Sequence, residues 1–150
     1  TLMAIIGIAI VAIVVPAGAL SQRIGPRRVT MIACAMVSLC LIGLAFAQSV
    51  PFVHVLGGLV GLAMGAFLSS NWAWATSLTP SENAGRYLGL GNIATAGAGA
   101  VSRLSGLVID GVNRLQPNKG YMVLFLLGAV FCAIACGLSK SVKEPRENEG

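Results

Sequence analysis

The sequence predicts an all-α membrane protein, built from five antiparallel transmembrane helices. Of its 150 residues, 56% are hydrophobic and only 10% are charged, and the mean hydropathy is +0.84. Soluble domains carry about 25% charged residues. The apolar residues form long continuous runs rather than alternating segments of about ten residues. Each run must therefore satisfy its backbone hydrogen bonds as a helix and not as a barrel strand.

Five runs are long enough to cross about 30 Å of hydrocarbon. They cover about residues 2–20, 29–47, 52–78, 88–109 and 122–139. We expect residues 1–139 to form one helical bundle and residues 140–150 to form a tail outside the membrane. Nothing at the start resembles a cleaved leader, and Thr1 adjoins an apolar run, so we expect the chain to be a fragment of a longer protein.

The connections between the runs are short and contain turn residues, such as Gly25-Pro26, Pro51 and Pro117-Asn118. Connections of this length make neighbouring helices antiparallel. If all five runs cross, seven of the ten basic residues lie on one side of the membrane: Arg23, Arg27, Arg28, Arg86, Lys140, Lys143 and Arg146. By the positive-inside rule that side is cytoplasmic, and the C-terminus ends there, in an inner or plasma membrane. The basic charge is thus topological and does not indicate nucleic-acid binding.

Small residues indicate where helices approach each other. In the third run, Gly57, Gly61 and Gly65 recur every four residues, which is typical of a helix-packing face in lipid. In the fourth run, one stripe is small and polar. It consists of Asn92, Ala96, Gly99, Arg103, Gly106 and Asp110. We expect Gly99 and Gly106 to serve packing as well.

The second and fifth runs carry apolar residues on nearly every face and are expected to face lipid. All four cysteines fall in apolar runs. Cys132 and Cys136 share a helix face, but buried cysteine acting as a small hydrophobe explains them better than a metal site. We therefore expect no disulfide, no metal and no cofactor.

The segment from Gly18 to Arg28, GALSQRIGPRR, resembles the signature loop of the major facilitator superfamily. That loop has a Gly, a Leu, a small residue, Asp, Arg, and then Gly followed by basic residues. Gln22 stands where the family has Asp, and Pro26 replaces a usual basic residue. The loop occurs between helices two and three and, more degraded, between helices eight and nine. The resemblance therefore implies a C-terminal half, with the five runs as helices eight to twelve.

A looser resemblance concerns the family's cytoplasmic connection between helices ten and eleven. It rests on Pro80, Glu82, Gly85, Arg86 and Gly89. The family resemblance implies alternating access, in which two six-helix bundles rock about a central site. It implies two partners besides the lipid bilayer: a small-molecule solute and the N-terminal bundle of the same chain.

The signature loop would then form part of a cytoplasmic gate. Its residues here are Gly18, Arg23, Gly25, Arg27 and Arg28. With Gln22 in place of Asp, the family's carboxylate contact in this loop is lost. Membrane topology alone explains the three arginines equally well.

Arg103 is the leading candidate for a solute or gating contact, because an arginine in hydrocarbon costs about 2.5–3.5 kcal/mol on insertion scales. Counted from Leu88 at about 1.5 Å per residue, it lies in the outer half of the membrane. Snorkelling or pairing with Asp110 is the structural alternative. Asn71 and Asn92 need hydrogen-bond partners that a solute or a neighbouring helix would supply. Trp74 suits membrane anchoring better than solute stacking.

Two functions remain open. The first is a secondary transporter or facilitator of a small solute, whose coupling carboxylate would lie outside this chain, because no Asp or Glu occurs well inside a run. The second is a non-transporting membrane assembly module or subunit, in which the glycine faces serve only packing. A channel is less favoured, since no ring of like charges faces a common depth. The chain has a single His, no paired carboxylates and no activated nucleophile. We therefore expect no catalytic residues and no enzymatic activity.

Overall fold

The structure, a computed structural model, describes residues 1–79, 82 and 84–142. Pro80 and most of the expected tail, including Lys143 and Arg146, lie outside the described residues. The helices are α1 (Leu2–Ile24), α2 (Pro26–Ala45), α3 (Val50–Ser77), α4 (Ala84–Ser102), α5 (Ser105–Leu115) and α6 (Gly120–Ser141). The described part of the chain contains no strand. The prediction of an all-α membrane protein is confirmed, because α1, α2, α3 and α6 are each long and apolar enough to cross a membrane.

The connection between α1 and α2 is the single residue Gly25, whose φ of 89° is a conformation that glycine adopts without strain. Pro26 follows at the first position of α2, where its missing N–H leaves no helical hydrogen bond unmade. As a result α1 continues to Ile24 and α2 begins at Pro26. Arg23, Arg27 and Arg28 therefore lie on helices rather than in an open loop.

The glycines of α3 bring α1 into backbone contact. A Cβ atom added at Gly61 would lie 2.7 Å from the carbonyl oxygen of Ile6, and one added at Gly65 would lie 2.6 Å from that of Ile10. Gly57 likewise faces Leu2. Successive glycines along α3 face successive positions along α1 in the same order, so α1 and α3 are parallel neighbours. Small residues permit this close approach, which maximises dispersion contacts where lipid supplies no hydrophobic driving force.

Helix α2 lies between α3 and α6 and is antiparallel to both. Thr30 Oγ1 donates a hydrogen bond of 2.9 Å to Ser70 Oγ on α3. On the other side, Ser38 Oγ donates one of 2.9 Å to the carbonyl oxygen of Ala129 on α6. The helices are thus ordered α1, α3, α2, α6. The ends of α1, α3 and α6 and the start of α2 lie together, and we call this the arginine end of the bundle, after Arg23, Arg27 and Arg28.

The expectation that the second helix faces lipid is wrong. Within the described chain α2 has the most buried residues of any helix: Val29, Thr30, Ala33, Cys34, Val37, Ser38 and Cys40. Its uniformly apolar surface fits a bundle interior as well as it fits lipid, because lipid tails and leucine side chains are equally apolar. Helix α6 has only Gly120 and Ala129 buried.

The predicted fourth helix is divided in two. The backbone N–H groups of Arg103 and Leu104 bond to the carbonyls of Ala100 and Val101, three residues back, so the α-helical pattern ends at Ser102 and resumes at Ser105. Hydropathy does not mark α4 as a membrane span. Neither α4 nor α5 contains a buried residue. Of these two helices, α5 packs on α6 to an appreciable extent, and α4 packs appreciably on no described helix.

A tight hairpin joins α5 to α6. The backbone N–H of Gly120 donates a hydrogen bond of 2.8 Å to Asn113 Oδ1. A Cβ atom at Gly120 would lie 2.6 Å from the carbonyl oxygen of Ile109, so only glycine fits this contact without movement. Asn118, in the connection, has a positive φ of 65°, which asparagine tolerates better than most residues. These local contacts fix the start of α6.

Candidate functional site

Arg27 links the start of α2 to the end of α6. Its Nε donates a hydrogen bond of 2.9 Å to the carbonyl oxygen of Ser139, and a terminal guanidinium nitrogen donates one to that of Lys140. These carbonyls belong to the last turn of α6 and have no partner within that helix. A cation is favourable at the negative end of a helix dipole. Arg27 therefore caps α6 from the start of α2.

Arg23 and Arg28 differ from Arg27 because both side chains are exposed, whereas Arg27 is half-buried. Residues 1–79 contain no acidic residue, so α1, α2 and α3 offer these guanidinium groups no carboxylate. The three arginines of the predicted gate therefore fall into two kinds. One is a structural cap, and the other two form a positive surface at the arginine end.

A cluster of small hydroxyl groups lies just inside the arginine end. Thr30 and Ser70 are almost fully buried, and Ser70 Oγ also donates a hydrogen bond of 2.7 Å to the carbonyl oxygen of Ala66. Ser21 Oγ and Trp74 Nε1 are buried without a hydrogen-bond partner among the described residues. A buried polar group left without a partner costs about 1–3 kcal/mol. The sequence predicts Trp74 as a membrane anchor or solute contact. In the structure its side chain is buried within the bundle, and its Nε1–H has no hydrogen-bond partner among the described residues.

The remaining predicted site residues are not brought together. Asn71 is exposed on α3, and Asn92 is exposed on α4, which makes no extensive contact with α3. Arg103 is exposed in the break between α4 and α5, and Asp110 is exposed on α5. Arg103 follows the 19 residues of α4. At 1.5 Å per residue that is roughly 28 Å, close to the thickness of the hydrocarbon layer.

The predicted packing glycines also divide. Gly57, Gly61 and Gly65 each lie against α1. At Gly99 and Gly106, by contrast, an added Cβ would meet no atom within 4 Å in the described part of the chain. Helix α4 has no appreciable packing partner among the described helices, so a packing role for these two glycines stays a prediction. Gly18 is near Ser69, with 3.4 Å from an added Cβ to its Oγ.

The sequence reasoning missed the Thr30–Ser70 pair and the cap formed by Arg27. For the first, a hydroxyl in each of two apolar runs is a usable signal, because Ser and Thr form interhelical hydrogen bonds in membranes. For the second, no local signal exists, since Arg27 and Ser139 are 112 positions apart.

Four apolar helices packed through glycines and buried hydroxyl pairs define a polytopic α-helical membrane protein. The family model of the Major Facilitator Superfamily matches residues 1–150, the whole length of the chain. The chain therefore belongs to this superfamily of small-solute transporters, as the signature-loop resemblance predicts. Comparisons with curated proteins and with solved structures found no match.

Proposed function

We propose that this chain is the C-terminal part of a secondary transporter or facilitator, which moves a small solute across an inner or plasma membrane by alternating access. Membership of the superfamily supports transport. The proposed solute path rests on the polar surface of α4 and on the break between α4 and α5. Asn92 and Arg103 are exposed there, on a helix that packs on no described helix to an appreciable extent. Facing lipid, both would be costly, so a water-filled path or the other bundle is the favoured neighbour.

The helix directions support five membrane crossings. Helix α3 ends at the arginine end, whereas α6 begins at the opposite end and finishes beside Arg27. In this proposal the chain from Ala84 to Leu115 returns across the bilayer. The roughly 28 Å of α4 is enough to do so. Its low hydropathy is what a helix beside a water-filled path would have, and Arg103 then lies at the outer boundary rather than within the outer half.

This topology supports a C-terminus in the cytoplasm, because the arginine end carries Arg23, Arg27, Arg28 and Lys140 among the described basic residues. It also supports assigning the five crossings to helices eight to twelve, with the N-terminal bundle of the same protein as the partner. In this arrangement Gly18, Gly25 and the arginine end form the cytoplasmic gate.

The gate contact to the other bundle would be made by Arg23 and Arg28, since Arg27 is committed to α6. The orphaned Ser21 Oγ and Trp74 Nε1 lie at the same end. A second conformation that gave either group a hydrogen-bond partner would have a lower free energy by the cost of that unpaired group.

The test is transport by the full-length protein in proteoliposomes, screened against a panel of small polar and amphipathic solutes. Arg103→Ala should lower the initial rate at equal protein amounts, and Arg114→Ala, which removes an exposed arginine of α5, is the matched control. Unchanged kinetics for Arg103→Ala would remove this residue from the site. No solute-dependent flux with any solute would favour the alternative, an assembly module whose Gly57, Gly61 and Gly65 serve packing alone.

A further inference from the structure

An apolar groove lies between α1 and α2 near the arginine end. It encloses about 150 Å³. It forms because α1 and α2 both pack closely against α3 and only weakly against each other. The groove is lined by Ile13, Pro16 and Leu20 of α1, by Ile32 and Met36 of α2, and by Ala66 of α3, among other apolar residues. No ionisable side chain lines it.

On α1, the residues that line the groove lead to an arginine. Pro16, Leu20 and Arg23 are separated by steps of four and three residues and so share one face of the helix. Leu20 is itself 45% exposed, which leaves the groove open at this point. Arg23 therefore lies about one helical turn beyond the groove, towards the membrane boundary.

On α2, the same pattern runs in the opposite direction along the chain. Arg28, Ile32 and Met36 are separated by steps of four residues, and Ile32 is 58% exposed at the groove. Because Gly25 alone connects the two helices, Arg23 and Arg28 each lie within one helical turn of this connection, at the end of the bundle to which the groove leads. An apolar groove thus ends in two exposed cations at the depth of lipid headgroups.

This surface is complementary to one molecule that every membrane supplies. An acyl chain fits the apolar groove, and a phosphate group pairs with guanidinium groups through charge-assisted hydrogen bonds. Basic pockets between transmembrane helices on the cytoplasmic side are typical sites for anionic lipid headgroups. The absence of acidic residues from residues 1–79 means that α1, α2 and α3 offer no carboxylate in place of the phosphate.

We propose that the groove between α1 and α2 is a binding site for one anionic phospholipid, with an acyl chain between the two helices and the phosphate held by Arg23 and Arg28. Arg27 has no part in it, because its guanidinium bonds to the end of α6. The site shares Arg23 and Arg28 with the proposed gate, so the lipid and the other bundle would hold these arginines in different conformations. Lipid binding is measured without solute, so failure of this proposal and failure of the transport proposal are distinguishable.

The first experiment measures lipid binding to the full-length protein in detergent by native mass spectrometry, with dioleoylphosphatidylglycerol and dioleoylphosphatidylcholine in separate titrations. We expect the anionic lipid to bind more tightly. Each arginine near an anionic surface contributes about fivefold in affinity, so Arg23→Gln with Arg28→Gln should weaken it by about 25-fold. Arg114→Gln is the matched control and should leave binding unchanged. Replacing both groove arginines by Lys keeps the charges and should retain most of the affinity.

The second experiment tests the groove itself. Ile32→Trp places a larger side chain at the groove and should weaken binding at least fivefold. Ile42→Trp, at a 41% exposed position farther along α2, is the control and should not. Thermal unfolding of each variant shows whether it is folded. Equal binding of the two lipids, retention of affinity in the double Gln variant, or equal behaviour of the two Trp variants would each overturn the proposal.

Discussion

The contact between Gly61 and α1 allows a sharp test of how the bundle is held together. In Gly61→Ala, the new Cβ would lie 2.7 Å from the Ile6 carbonyl oxygen and 2.9 Å from the Ala9 Cβ atom. Neither is the flexible end of a side chain. Ordinary contact begins at 3.4 Å, so α1 must move away from α3 by about 0.7 Å, the difference from the 2.7 Å contact. The movement would also loosen the contacts of the neighbouring glycines.

The expected cost follows from two opposing terms. Replacing glycine by alanine within a helix favours the helix by about 0.8–1 kcal/mol. Overpacking a close contact costs typically 1–3 kcal/mol. Gly58→Ala, three positions earlier in α3, is the matched control, because its Cβ would make an ordinary 3.5 Å contact with Ile5. Both variants have the same gain in helix propensity. Gly61→Ala should therefore be less stable than Gly58→Ala by about 1–3 kcal/mol.

The assay is unfolding of the purified protein in mixed micelles with increasing dodecyl sulfate. A thiol-reactive fluorophore reports the unfolding, because Cys34 and Cys40 are buried and free in the folded chain. The measured quantity is the difference in unfolding free energy between the two variants, because the wild-type protein is the common reference and cancels from this difference. Equal unfolding midpoints for Gly61→Ala and Gly58→Ala would refute the reasoning that backbone contact through this glycine sets the α1–α3 distance.

Three further predictions concern other contacts. Arg27→Gln should lower the unfolding temperature, because the last carbonyls of α6 lose their cap. Arg23→Gln should not lower it. A smaller effect of Arg27→Gln than of Arg23→Gln would contradict this assignment. Thr30→Val and Ser70→Ala should show a coupling of about 0.6 kcal/mol in a double-mutant cycle of unfolding, and strict additivity would count against their hydrogen bond. Gly120→Ala should speed proteolysis in the α5–α6 connection, because its Cβ would meet the Ile109 carbonyl; wild-type cleavage rates would argue against the tight hairpin.

The helices could be anticipated from the sequence because each apolar run must satisfy its own backbone hydrogen bonds in lipid. The break after α4 could not be anticipated from the sequence. Arg103 is one charge in a run that is apolar by composition, and glycines such as Gly99 weaken the helix without marking where it ends. The structure ends α4 at Ser102 and so places Arg103 between two helices.

The candidate site was only partly predictable for a related reason. Arg23, Arg27 and Arg28 are the same residue type, and nothing in the signature loop indicates which of them makes a contact within the bundle. Arg27 differs from Arg23 and Arg28 only because its side of α2 faces the end of α6, more than a hundred positions later in the chain. A contact between residues so distant in the chain depends on the order of the helices, which no local pattern contains.

The sequence by itself therefore determined that this protein is helical, that it belongs in a membrane, and that three of its arginines lie together between its first two helices. Those properties follow from composition and from the cost of unpaired backbone groups in lipid. Only the tertiary structure decided that α2 lies inside the bundle, that α1 packs along the glycines of α3, and that Arg27 caps α6. The physical reason is that lipid and protein interiors are equally apolar, so shape and hydrogen bonding, rather than hydrophobicity, choose the neighbours of each helix.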